Sequence, residues 1–107
     1  MHWIVRRDSA TVGARAAGMK RRNPSSALAP ALLEAVDLAL GGDWQGAHQI
    51  AQEHEDDEIA NWIHAVAHRM EGDLDNARYW YGRCGRKLRE KTSTAAELRE
   101  IRAALTA

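Results

Sequence analysis

Phenylalanine is absent from the 107 residues of this chain, so its aromatic side chains are four Trp and two Tyr. Each carries an N–H or O–H that needs a partner once buried, so the interior has to include polar contacts. A lone cysteine, Cys84, excludes an internal disulfide framework and suits a reducing cytoplasm, which is the location expected here. No apolar run approaches the roughly 20 residues of a membrane span, so no membrane association is expected. The amino terminus has no continuous apolar stretch of the kind a secretory signal requires. Strand patterns are lacking, and no Gly-rich loop follows a strand, so phosphate-loop chemistry has no support and no cofactor is expected.

Charge of one sign is missing locally although the whole chain is neutral. Residues 27–60 hold eight acids and no Lys or Arg. Residues 1–26 hold six Lys or Arg against Asp8, a net of +5, and residues 61–107 have a net of +3. Segment 1–26 also lacks helical and strand periodicity and reads as a flexible basic arm. Its Met19-Lys20-Arg21-Arg22 run allows a translation start at Met19, and its Arg-rich, acid-poor composition loosely matches a transit peptide. Residues 27–107 read as a single helical-repeat domain, long enough for one core at 45% apolar content.

A twenty-residue block occurs twice at an offset of thirty positions, Leu32–Ala51 beside Trp62–Tyr81. Identical pairs are Ala35/Ala65, Val36/Val66, Gly42/Gly72, Asp43/Asp73 and Ala47/Ala77. The shared pattern is an apolar helix, a Gly-Asp turn and a second helix with an inward Ala. Repetition at this period marks stacked helical hairpins. The expected architecture is therefore all-α, with two tandem helical hairpins and a C-terminal capping helix. Helix 1 should run from about Pro30 to Gly41, and helix 2 from an Asp43 cap to near His54. Asp56 or Asp57 should cap helix 3, whose Ile59, Trp62, Ile63, Val66, Ala67 and Met70 share one face. Asp73 should cap helix 4, with Ala77, Trp80, Tyr81 and Cys84 inward. Thr94-x-x-Glu97 has the form of a capping box opening a last helix that covers the open end of the stack.

At Gly42-Asp43…Ala47 and Gly72-Asp73…Ala77 the chain resembles tetratricopeptide-type repeats. The continuation Ala77-x3-Tyr81-x2-Cys84 is similar to the small-aromatic-small spacing of that family's second helix. Its period is 30 residues rather than about 34, no Pro closes it, and Asn61, His64 and His68 stand at positions the family fills with apolar residues. The chain is thus tetratricopeptide-like, and the resemblance implies a concave surface holding a peptide or protein partner. Residues 60–83 also resemble a motif of a small helical family: Asn-Trp-Ile-His, His-Arg-x-Glu-Gly-Asp, then Asn-Ala-x-Tyr-Trp-Tyr. That resemblance implies no activity.

His64 and His68 are four apart and meet on one helix face, placed by the helical wheel opposite the apolar stripe. They could form a metal pair completed by Glu71, or by His48 or His54 from helix 2. Their alternative role is to line a groove or bond the neighbouring helix. Arg69, Glu71, Asp73, Asn76, Tyr79 and Arg83 crowd the second turn, either as a polar recognition pocket walled by Trp62 or as a bonded turn that locks the hairpin. Tyr79 and Arg83 are spaced to stack. The basic run Arg83, Arg86, Lys87, Arg89 and Lys91 could grip phosphates, but a solvated helix end accounts for it and the acidic block repels a polyanion. Nucleic acid is therefore disfavoured as a partner.

Two functions fit these residues. The leading expectation is a protein- or peptide-binding module whose contacts are His64, His68, Arg69, Glu71, Asn76, Tyr79 and Arg83, without catalytic residues. Two repeats are few for a stable stack, so a homodimer stays open. The rival is a small metal- or acid/base-dependent enzyme using His48, His64, His68 and Glu71. Convergence of those four side chains favours the rival.

Overall fold

The computed structural model describes residues 24–107, with side chains from Ala27 onward. Most of the basic arm, the Met19 start and the transit-peptide reading thus fall outside the described residues. Five helices follow in order: α1 Pro24–Leu40, α2 Trp44–Gln52, α3 Glu58–Glu71, α4 Leu74–Arg83 and α5 Thr94–Thr106. The protein is all-α, and the described residues include no strand.

The Gly-Asp turns have a local cause, and the two copies share it. Gly42 and Gly72 take φ of 94° and 93°, where a side chain would be strained. After each Gly, the Asp amide donates back into the preceding helix, Asp43 to the Leu38 carbonyl at 2.8 Å and Asp73 to the His68 carbonyl at 2.9 Å. Each Asp then caps the next helix: Asp43 Oδ1 accepts from the Gly46 amide at 2.9 Å, and Asp73 Oδ1 from the Asn76 amide at 3.2 Å. Asp57 caps α3, accepting from the Ile59 and Ala60 amides.

α1 begins at Pro24, six positions before the expected start. Proline suits a first helical turn, and Pro30 lies within the helix, where its missing N–H leaves the Ser26 carbonyl without its usual donor.

Consecutive helices α1 to α4 pack on one another, and α5 folds back against α1 and α3. It does not extend the row of helices beyond α4, as a cap on an open end would. α3 is consequently enclosed by its neighbours, and every residue from Ala60 to His68 is buried. This overturns the wheel-based placement of His64 and His68 on an outward face. The duplicated positions also differ in setting: Ile63 is fully buried, whereas Leu33 is half-buried.

The capping box at Thr94 does not form. Ser93 is the cap, its Oγ accepting from the Ala96 amide at 3.0 Å, which shifts Glu97 one position further into the helix. Glu97 there turns inward and is 1% exposed. Its Oε2 accepts from Trp62 Nε1 at 2.8 Å, and its Oε1 accepts from Tyr81 OH at 2.7 Å and Arg69 Nη1 at 2.8 Å. Arg69 Nη2 donates to the Thr92 carbonyl at 2.9 Å. Charge-assisted bonds of this kind offset the desolvation of a buried carboxylate and tie α5 to α3 and α4. The buried aromatics find their polar partners here: Trp62 and Tyr81 both donate to Glu97.

Candidate functional site

Because α2 and α4 both pack against α3, a residue on each reaches the His64–His68 edge of the central helix. His48 comes from α2, with ring centroids 4.3 Å from His64 and 4.9 Å from His68. His64 and His68 lie 5.1 Å apart and nearly parallel, as their four-residue spacing requires. From α4, Trp80 stacks on His64 at 3.9 Å with 14° between the planes. His64 and His68 are 3% and 7% exposed, so this is an interior cluster. One ligand nitrogen from each of the three histidines can be chosen so that all lie within 4.8 Å of one another.

Glu71, one turn past His68 on the same helix, puts Oε1 2.9 Å from His68 Nδ1. An ionised carboxylate only accepts, so Nδ1 of His68 carries a proton and its other ring nitrogen is Nε2. Burial first, and then the neighbouring His68, lowers the His48 pKa to about 4, with Glu71 opposing. Burial, aided by His48, His68 and Arg83, lowers that of His64 to about 2. Both rings are therefore neutral near pH 7 and present a lone pair. His64 Nδ1 is buried and has no hydrogen-bond partner among the described residues.

Other expected site residues go elsewhere. Arg69, grouped with the turn, instead turns into the core to meet Glu97. Trp62, the expected pocket wall, lies on that same side of α3, with the Arg86 guanidinium 3.4 Å over its ring. Asn76 is bound to the turn: its Nδ2 donates to Asp73 Oδ2 at 2.8 Å, and these Asn76 bonds hold the Asp73 carboxyl below its usual range. Tyr79 and Arg83 do meet, Arg83 Nη1 donating to Tyr79 OH at 3.3 Å, and both are exposed. Arg83 also stands 5.0 Å over Trp80, next to the cluster. His54 does not join it.

Cys84 is buried, and burial raises its thiol pKa, consistent with an inert core position. Of the basic run, Arg86 covers Trp62 and Arg89 pairs with Glu100 at 2.9 Å. Trp80 was expected only as core, and its contact with His64 had no signal beyond its own helix periodicity. Glu97 was visible only as a cap, because its partners lie 16 to 35 positions away. No helix among the described residues is long and apolar enough to cross a membrane. Comparison of the chain with family models, with curated proteins and with solved structures gave no match.

Proposed function

We propose that this chain is a small helical enzyme whose reactive centre is the imidazole cluster of His48, His64 and His68 with Glu71. The observation that supports it most is the convergence of three histidines from two helices, beside a carboxylate bonded to one of them. A carboxylate on Nδ1 holds the ring orientation and tautomer and strengthens the basicity at Nε2. Nε2 is the nitrogen that this reading assigns to accepting a proton or binding an electrophile. Packing alone would be served as well by apolar side chains, which leave no polar nitrogen in the interior.

The test is a screen of ester, amide and phosphate-ester model substrates with the wild type, His68→Gln and Glu71→Gln. Turnover should fall at least 100-fold in His68→Gln and roughly 10-fold to 100-fold in Glu71→Gln, with an unchanged melting temperature. No turnover on any class, or turnover that survives His68→Gln, overturns the reading.

A second reading, a tetratricopeptide-like module for a peptide or protein, draws support from the exposed Tyr79–Arg83 pair. Arg and Tyr are typical anchors of such contacts. A partner captured by the wild type and lost in Tyr79→Ala, with the fold intact, would favour it. A cytoplasmic location accords with the buried free thiol of Cys84.

A further inference from the structure

We infer that His48, His64 and His68 together bind one first-row transition-metal ion of the zinc type, with Glu71 as the carboxylate that orients His68 from outside the coordination shell. This rests on the cluster being the reactive centre and names the electrophile that its lone pairs hold.

Three separate observations support it. The first is distance. The ligand nitrogens lie within 4.8 Å of one another, whereas tetrahedral bonds of about 2.1 Å need nitrogens about 3.4 Å apart. Side-chain rotations that close gaps of at most about 1.4 Å would complete the site. The second is the state of His64. Its Nδ1 is buried without a hydrogen bond among the described residues, and an interior polar atom left so is costly. A cation at the centre of the three rings gives that nitrogen a partner. The third is Glu71, bonded to His68 Nδ1 at 2.9 Å. Metal-bound histidines commonly donate their other ring N–H to a carboxylate, which leaves Nε2 of His68 for the ion.

The donor set narrows the ion. Three imidazoles suit zinc, cobalt, nickel or copper and not magnesium or calcium, which take oxygen ligands. The neighbouring group of His68, Glu71 and Asp73 is a weaker candidate, because both Asp73 oxygens already accept hydrogen bonds from Asn76. Three protein ligands leave a fourth position for water, and an ion of this kind makes that water acidic near neutral pH.

The experiment uses the full chain, free of any polyhistidine tag and purified without chelator. Zinc content by mass spectrometry should reach about one per chain after equimolar Zn²⁺ is added. Titration with Co²⁺ should produce visible bands of tetrahedral intensity. His48→Gln and His64→Gln should weaken binding at least 100-fold, and Glu71→Gln about 10-fold to 100-fold. Circular dichroism checks each variant's fold. Imidazole ¹⁵N shifts of the wild type on adding Zn²⁺ need no variant, and three of the five histidines should move. Zinc content near zero with no cobalt spectrum overturns the inference, as does binding that survives both His48→Gln and His64→Gln. Turnover that depends on His68 and Glu71 without any metal removes the ion and keeps the proposed centre. Metal bound by these three rings, with no turnover on any substrate class, keeps the ion and removes the catalytic reading.

Discussion

Replacing Glu97 by Gln tests whether the interior of this protein is organised around one buried carboxylate. Oε1 accepts from Tyr81 and Arg69, and Oε2 from Trp62. A glutamine can keep only one of those two oxygens. If its oxygen faces Tyr81 and Arg69, its amide meets the Trp62 N–H, donor against donor. The flipped amide leaves two donors without an acceptor. An orphaned buried donor costs about 1–3 kcal/mol. The Arg69 side chain is 11% exposed, and breaking such an ion pair costs about 3–5 kcal/mol. Arg69 retains its bond to the Thr92 carbonyl, which holds the sum towards the lower end. The expected loss is about 4 kcal/mol, a large part of the roughly 5–15 kcal/mol typical of a domain. Urea unfolding followed by circular dichroism measures it. Glu100→Gln is the control, since its pair with Arg89 is solvent-exposed and should contribute below about 1 kcal/mol. Tyr81→Phe combined with Glu97→Gln should show a coupling of about 1–2 kcal/mol. A Glu97→Gln protein within 1 kcal/mol of wild type, or no worse than Glu100→Gln, refutes the reasoning.

Acid should destabilise the metal-free protein through His64 and His48, whose folded-state pKa values of about 2 and 4 lie below the ordinary 6.5. Above pH 6.5 both are neutral folded or unfolded; below it only the unfolded chain gains the proton, so stability falls with pH, by about 2 kcal/mol at pH 5 for His64 and less for the partly exposed His48. Urea midpoints between pH 7.5 and 5 check this, and an identical slope in His64→Leu would contradict it. Gly42→Ala and Gly72→Ala should each cost about 1 kcal/mol, because both positions have the same positive φ and an added methyl meets nothing within 4 Å. Melting curves that separate the two by more than about 1 kcal/mol would show that the two turns carry different strain.

What could be read from the chain alone was what neighbouring residues settle among themselves. Gly42-Asp43 and Gly72-Asp73 complete their turns within a few positions, so the ends of the helices at these turns and their Asp caps were legible, whereas the α3 cap was legible only as Asp56 or Asp57, of which Asp57 serves. The meeting of His64 with His68 follows from helical pitch, and Glu71 reaches His68 for the same reason. The polar residues of α3 were misplaced because a wheel assumes one wet side, whereas α1, α2, α4 and α5 enclose this helix. The capping box misled because Ser93 competes with Thr94 for the cap, and the one-position shift turns Glu97 inward. His48 beside His64, Trp80 over His64, and Glu97 between Trp62, Tyr81 and Arg69 depend on which helices pack together. Hydrogen bonds inside a turn need only local geometry. Contacts across 16 or more residues are decided by the competition among whole helix faces for burial, which no short window of residues contains.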